Sequence, residues 1–488
     1  MQPSLATQGS ALLVIDAQKD SLVQGGAFSV RHCDTGQLVQ TLVWLVRAAR
    51  LQGRAVGWIT SSYGELQGDP EGGRGQAHQG APFCVRGTWG AELVGPLRAV
   101  QEERPGPGAE WRIEKRGYSA FRDTPLQARL EEARISRVIL CGVATDVCVM
   151  AAAREARRLG YEVDVVRDAT AAGTSSKHVR ALREMEAMGV RVRRFGDLLS
   201  EGEALPVEGL GAGGTALWCG ALRSSVAEGS STFDAIEREV AWSSMLHRGG
   251  EVPRRVALQG TLGPDGALPL YRHPMDEQPE LRGWTPAVDA VRRAVQERVG
   301  HPLNHGLLQL YRGGRDWISE HSDKTLDLVP GSSIVNVSLG RMRTMVLRPK
   351  RGSGQDARIQ KIPLPHGSFL VMDRETNRAF YHAIRQEGAS SDDGPRISLT
   401  FRYIGTWWSP ATGAVWGVGA RVSGREEAEA RALARRALPP EASLAEERQE
   451  ASRLLGLFRE ENLDPSFDAA SYSPGFDVLD LRSLNGPP

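Results

Sequence analysis

Two architectures are predicted in this chain: an α/β three-layer domain built on a parallel sheet, and after it a β-rich domain. Three observations predict them. Within residues 1–200, short apolar runs alternate with stretches of helical period, the pattern of βαβ units. Over residues 201–228 the pattern dissolves into Glu201-Gly-Glu-Ala-Leu-Pro-Val-Glu-Gly-Leu-Gly-Ala-Gly-Gly and onward, a flexible linker by composition. Beyond it, period-two alternation takes over, clearest in Arg396-Ile-Ser-Leu-Thr-Phe-Arg402. A chain of 488 residues is also too long for one core.

Composition excludes some classes. Sixty basic against fifty-nine acidic residues leave a formal charge of +1, so no global field draws the chain to nucleic acid or membrane. No stretch approaches the ~20 apolar residues of a spanning helix. The opening Met1–Gln8 carries neither a basic n-region nor a long apolar run, which predicts an intracellular, cytoplasmic or nuclear protein with no membrane partner. The cysteines Cys33, Cys84, Cys141, Cys148 and Cys219 form no C-x-x-C pair and are odd in number, against a disulfide framework or zinc site.

In the first domain, strands are expected at Ala11–Ile15, Ala55–Thr60, Arg137–Gly142 and Glu162–Val166, with helices at Leu38–Leu51, Thr145–Leu159 and Lys177–Met188. Parallel sheets place their sites at the carboxyl ends of strands. Three reactive side chains sit there: Asp16 after Leu-Leu-Val-Ile, Lys115 after Trp-Arg-Ile-Glu, and Cys148 after Val-Ile-Leu-Cys-Gly-Val-Ala-Thr-Asp-Val. A helix starting near Thr145 would hold Cys148 in its first turn, where the dipole and an ammonium favour thiolate, so Cys148 is expected to be the low-pKa thiol. Asp16 would take the thiol proton, and Lys115 would stabilise charge. The Gly-rich stretch Gly64–Gly90 reads as a surface loop or a lid.

Together Asp16, Lys115 and Gly142-Val-Ala-Thr-Asp-Val-Cys148 resemble the isochorismatase-like cysteine hydrolases, over roughly Ala11 to Phe195. The resemblance implies a non-proline cis peptide at Val143-Ala144. Because true isochorismatases lack the nucleophilic Cys, it also implies amide or ureide hydrolysis. Nicotinamidases of this fold place metal-binding His after the second strand; here Thr60 leads into Ser61-Ser62-Tyr63, so no metal is expected in this domain. Association of copies through this domain is a further expectation.

The second domain turns on Gln309-Leu-Tyr-Arg-Gly-Gly-Arg-Asp-Trp-Ile-Ser-Glu-His-Ser-Asp323. His321 and Asp323, two apart on an extended backbone, point the same way. With His382 they make two imidazoles and one carboxylate, a set that leaves open positions on Fe(II) for O2 and a co-substrate. Downstream, Arg396, Ser398, Thr400 and Arg402 share one strand face and Ile397, Leu399 and Phe401 the other. Two guanidinium groups on one cavity wall suit the two carboxylates of 2-oxoglutarate.

In order, these pieces resemble the AlkB family of Fe(II)/2-oxoglutarate dioxygenases, whose pattern runs N-x-Y, H-x-D, H, R-x-N-x-T-x-R. The resemblance covers about Phe233 to Gly417 and includes Trp284-Thr-Pro286, Asn336 and Thr376-Asn377. It implies a double-stranded β-helix of jelly-roll type. Metal ligands would be His321, Asp323 and His382, and co-substrate residues Gln309, Tyr311, Arg396, Ser398 and Arg402. Gln309 and Ser398 stand where the family has Asn. Lys324-Thr325 follows Asp323 where nucleic-acid dealkylases carry an acidic residue, with Asp327 further on.

The expected organisation is a hydrolase domain over 1–200, a linker over 201–228, an oxygenase over 229–420 and a helical extension over 421–488 docking on the oxygenase. Helices in that extension are expected at Glu426–Ala437 and Ser443–Leu457, followed by an apolar tail from Phe467 to Leu481. Arg341, Arg343, Arg348, Lys350, Arg351, Arg358 and Lys361 form a basic stripe, either a phosphate grip or a solvated hairpin face. Two functions remain open. The oxygenase demethylates N-alkylated bases in DNA or RNA beside a cysteine hydrolase, or both sites process one small nitrogenous metabolite. A third reading makes the first domain a non-catalytic binding module.

Overall fold

The computed structural model describes residues 9–30, 33–63, 83–103, 105–198, 204–206, 215–218, 231–247, 250–263, 265–274, 279–354, 359–387, 394–479 and 481. The chain divides into two compact units, Met1–Leu199 and Ser200–Pro488.

In the first unit six strands are all parallel: β1 (Ser10–Ile15), β2 (Ala55–Ser61), β3 (Glu110–Lys115), β4 (Arg137–Val143), β5 (Glu162–Ala171) and β6 (Arg191–Arg193). Their spatial order is β3-β2-β1-β4-β5-β6. Chain direction across the sheet therefore reverses between β1 and β4, and such a switch point leaves a crevice at the carboxyl ends of those two strands. β1 is buried along its whole length, as expected of a central parallel strand covered on both faces. The covering helices include α1 (Thr35–Leu51), α2 (Met150–Arg158) and α3 (Ser175–Ala187). Instead of one helix from Thr145, a π-helical turn spans Thr145–Val149 and α2 follows it. The Val143–Ala144 peptide is cis. Gly142 has φ +106°, and a Cβ there would lie 2.0 Å from the Ile15 carbonyl oxygen, so only glycine lets β4 end against β1. Residues 64–82 of the Gly-rich stretch lie outside the described residues.

Beside two small sheets of two and three strands, the described residues of the second unit form two main sheets. The larger contains β7 (Ala204–Pro206), β8 (Ala216–Trp218), β9 (Arg255–Gly260), β10 (Leu281–Gly283), β11 (His305–Tyr311), β13 (Ile334–Gly340), β16 (Ser368–Met372) and β18 (Arg396–Arg402). The smaller contains β12 (Ile318–His321), β14 (Arg343–Pro349), β15 (Gln360–Leu364) and β17 (Phe380–Ile384). Alternation on β11, β13 and β18 puts Leu308, Leu310, Val335, Val337, Ile397, Leu399 and Phe401 into one core. Helix α4 (Pro286–Val299) covers it with Val288, Val291 and Val295. The opposite faces of those strands carry the polar row.

Two expectations are corrected here. Ala204–Pro206 and Ala216–Trp218, inside the stretch read as flexible linker, form a hairpin whose β8 pairs with β16, and Trp218 stacks on Phe369 with centroids 5.6 Å apart. Strands of three residues are too short to show a period, so composition outweighed them. Residues 201–203, 207–214 and 219–228 of that stretch, and Cys219 with them, lie outside the described residues. The basic stripe is partly drawn inward: Arg343 and Lys350 are buried, Arg341, Arg348 and Lys361 are partly exposed, and Arg351 is exposed. Arg341 and Arg343 pair with Glu387, Arg348 pairs with Glu320, and buried Lys350 donates to Ser322 and the Glu461 carbonyl. Arg358 lies outside the described residues.

At the C-terminal end, α5 (Arg425–Arg436) and α6 (Pro440–Leu463) form, and α6 runs beyond its expected end at Leu457. Tyr472, Phe476, Val478 and Leu481 pack with Leu454 and Phe458 of α6 and with Leu326. A buried Arg272–Asp327 ion pair at 2.6 Å ties the tail in, because Arg272 also donates to the Phe476 carbonyl. Among the described residues no helix is long and apolar enough to cross a membrane.

Candidate active sites

In the first unit, the switch point brings Asp16, Lys115 and Cys148 together, and all three are buried. The Lys115 ammonium lies 2.8 Å from Asp16 Oδ2 and 3.5 Å from Cys148 Sγ. It also donates to Ser61 Oγ at 2.9 Å, while Ser61 Oγ donates to Asp16 Oδ1 at 3.0 Å. Ser61 pairs in register with Lys115, so the two strand ends deliver them side by side. Gln18 pins the end of β2 by accepting from the Ser61 N–H and donating to its carbonyl. Sequence reading missed Ser61 and Gln18; their signal was position, since Ser61 ends one central strand and Gln18 lies three residues past the end of another. Thr145 Oγ1 meets His178 Nδ1 at 2.9 Å and anchors the turn that carries Cys148.

The electrostatics reverse one expectation. Burial pushes the Cys148 thiol up, Asp16 pushes it further, and Lys115 pulls it only partly back, so the resting thiol is neutral. Burial also works against the Lys115 charge, but Asp16 and Cys148 outweigh it and hold the ammonium above its ordinary value. Cys148 is therefore not a low-pKa thiol. Desolvation at a site buried on all sides exceeds what one ammonium returns when that ammonium is already paired with a carboxylate.

In the second unit, register makes the site. His321 and His382 are direct antiparallel partners on β12 and β17, which sets their rings side by side with centroids 4.2 Å apart. Ligand atoms of His321, Asp323 and His382 lie within 4.8 Å of one another, the one such group of three among the described residues. His321 Nδ1 is 2.8 Å from the Ser319 carbonyl, which fixes the proton there and leaves Nε2 as the ligand atom. Burial first, then the neighbouring His321 charge, pulls His382 down to about 3, so it stays neutral and its Nδ1 has no hydrogen-bond partner. Burial opposes the Asp323 charge, but Arg402 and both imidazoles hold it down to about 2. Asn377 clamps the Asp323 backbone with two hydrogen bonds of 2.9 Å each.

The two arginines differ, which corrects the expectation of a matched pair on one wall. Arg402 donates from Nε and Nη2 to Asp323 Oδ2 at 3.0 and 2.7 Å, and its guanidinium lies 4.4 Å from the Tyr271 ring centroid. Arg396 sits behind the wall, 5.1 Å from the Tyr311 ring centroid, donating from Nη2 to Ser338, Asn336 and Ser398. Its Nε and Nη1 are buried with no partner, and burial pulls its pKa down to about 10. Gln309 accepts from the Tyr311 hydroxyl at 3.2 Å and leaves Nε2 unpaired as well. Buried N–H donors without acceptors are costly, and an anion brought to them would relieve that cost. The donor set therefore fits a dicarboxylate.

Around these groups lies a cavity of about 620 Å³, lined by Tyr271, Gln309, Tyr311, the three ligands, Asn336, Ser398 and Arg402. Arg254, Trp317, Leu455 and Phe458 also line it and were not foreseen. These come from loops and from the late turns of α6, where no short motif marks them.

Family models match both halves. The Isochorismatase domain matches residues 10–195, and the 2OG-Fe(II) oxygenase superfamily matches residues 219–402. DNA oxidative demethylase ALKBH2 of Homo sapiens is 32% identical over 191 residues, covering 36% of this chain and 69% of that protein. An Arabidopsis thaliana protein described as a probable inactive nicotinamidase is 30% identical over 187 residues, covering 38% of this chain and 91% of that one. The crystal structure of nicotinamidase PncA from Bacillus subtilis aligns over 38% of this chain and 99% of its own at 28% identity, with a TM-score of 0.35.

Proposed function

Since the chain belongs to the isochorismatase family in its first unit and to the AlkB-like 2OG-Fe(II) oxygenases in its second, we propose that it is bifunctional: an oxidative demethylase of N-alkylated nucleobases joined to a cysteine hydrolase of an amide or ureide. The observation that carries the oxygenase reading is the convergence of His321, Asp323 and His382 within 4.8 Å inside the 620 Å³ cavity. These three would hold Fe(II). Arg396, with Gln309, Tyr311 and Ser398 around it, would take the far carboxylate of 2-oxoglutarate. Iron, 2-oxoglutarate and O2, when bound, supply the oxidation that hydroxylates a C–H bond and yields succinate and carbon dioxide.

The residues of the chain have separate tasks in this. Arg402 neutralises and orients the Asp323 carboxylate, so that one oxygen remains for the metal. Neutral His321 and His382 present lone pairs rather than protons. The apolar cavity walls, Leu258, Met345 and Ile384 among them, exclude bulk water. A hydroxylated N-methyl group then breaks its C–N bond on its own, releasing formaldehyde.

In the first unit, Asp16 takes the Cys148 proton as sulfur attacks the carbonyl carbon, and later gives it to the leaving nitrogen. Lys115 stays charged and balances Asp16 throughout. Water admitted after the amine leaves, with Asp16 again as base, splits the thioester.

A second reading, a small nitrogenous metabolite as the shared substrate, is favoured by one observation. Asp327, the acidic residue nearest the place where base-reading relatives carry one, is locked to Arg272 and does not line the cavity. The test is succinate release from 2-oxoglutarate with N-methylated single- and double-stranded oligonucleotides set against a panel of N-methylated metabolites. Stimulation by oligonucleotides supports demethylation; stimulation by metabolites alone would replace it.

A further inference from the structure

Helix α6 lies wholly beyond residue 402, where the match to the oxygenase family ends. Its last turns nevertheless reach the segment that carries a proposed metal ligand. Asn462 Oδ1 accepts from the Ser322 N–H at 3.3 Å and from Ser322 Oγ at 3.1 Å. Glu461 Oε1 accepts from the Thr325 N–H at 3.0 Å and from the Thr325 hydroxyl, and Glu461 Oε2 accepts from Tyr472 at 2.8 Å. Both flanks of Asp323 are thus fastened to two adjacent residues of one helix. Buried ammonium groups complete the joint: Lys324 donates to the Phe458 carbonyl at 2.7 Å, and Lys350 bridges Ser322 Oγ and the Glu461 carbonyl at 3.0 Å each. The Glu461 carbonyl is one that the helix itself leaves open, so the Lys350 ammonium satisfies it there. The same turns enter the cavity, with Leu455, Phe458, Arg459 and Asn462 in its lining.

We propose that α6 is a working part of the oxygenase centre: Asn462 and Glu461 are positioning residues that hold the Ser322–Thr325 segment, and with it the Asp323 carboxylate, in ligating geometry. Docking of a surface helix needs only its apolar face, which Leu454 and Phe458 already provide. Polar ties aimed at the residues on either side of a ligand do something further. They restrict where that ligand can sit, and such outer partners typically govern metal affinity by ~10–100-fold. This inference rests on the metal-site reading given above.

The test uses the full chain without metal, titrated with Co(II) and followed by its visible absorbance and by calorimetry, with no turnover required. Asn462→Ala should weaken Co(II) binding on the order of tenfold and alter the absorbance envelope, while Asn462→Asp, which keeps an acceptor oxygen, should restore most of it. Arg448→Ala, on the exposed side of the same helix, should change neither. If Asn462→Ala does not fold, Asn462→Ser should show the same loss. Affinity within twofold of wild type and an unchanged spectrum in the variant that folds would overturn the proposal. A wild-type chain that binds no Co(II) through His321, Asp323 and His382 would overturn the metal-site reading and this inference with it.

Discussion

Arg396 and Arg402 occupy equivalent positions on one strand face, yet the structure gives them different duties. Arg402 spends two donors on Asp323, whereas Arg396 keeps two donors unpaired. Arg396→Ala should therefore raise the 2-oxoglutarate requirement and leave metal affinity intact, at a cost on the order of 2–5 kcal/mol for a lost buried charge pair. Arg402→Ala should damage both, because Asp323 loses its counter-charge. Equal effects of the two on Co(II) affinity would contradict this division. At Cys148 the signs also follow from the site: Asp16 raises the thiol pKa and Lys115 lowers it. Asp16→Asn should speed alkylation of Cys148 while abolishing hydrolysis, and Lys115→Met should slow both. The change in labelling should be on the order of tenfold, the factor carried by one pKa unit. Slower labelling in Asp16→Asn would show that the carboxylate is acting on the thiol as a base even toward the reagent. His305 supplies a pH test. It is buried, its Nδ1 is unpaired, and burial pulls it down to about 3. Between about 3 and the ordinary value near 6.5, the unfolded chain binds a proton that the native one refuses, so stability falls as pH falls through that window. His305 alone should account for about 2 kcal/mol of the loss by pH 5, and His305→Gln should lessen the loss by that share in thermal melts at pH 7 and pH 5, leaving the part owed to His382 and His273.

Elements were legible where burial imposes a period, and less so where it does not. The polar face of β18 and its apolar back could be read directly, because alternate residues of a strand face opposite ways and the back enters a core. Side chains two apart gave His321 and Asp323, but the approach of His382 depends on β12–β17 register, which no local pattern encodes. Burial of Cys148, and with it the direction of its pKa, belongs to packing and could not be seen. Nor could the end of α6: residues 458–463 mix apolar and charged groups because that face meets buried lysines and a ligand segment rather than water. At the junction of β1 and β4, a single atom decides fit. Gly142→Ala would drive a Cβ into the Ile15 carbonyl and should destabilise the first unit on the order of 3 kcal/mol, seen as a lowered melting temperature for that unit. An unchanged melt would mean the two strand ends can separate.

The whole chain joins two complete sets of reactive groups, one per compact unit. Alternation of βαβ pattern and then of period two announced both units, whereas the short strands β7 and β8 were hidden in a composition that reads as linker. The two chemistries share no residue, so His382→Ala should leave hydrolysis of an amide probe unchanged, and Cys148→Ala should leave succinate release unchanged. His321, Asp323 and His382 are proposed to hold the iron at which an N-linked alkyl group is oxidised. The most direct measurement is the yield of succinate and formaldehyde from an N-methylated oligonucleotide, Fe(II) and 2-oxoglutarate, with wild type and His382→Ala in parallel. Equimolar succinate and formaldehyde are expected from wild type and neither from the variant; succinate formed equally by the variant would rule out these three residues as the iron site.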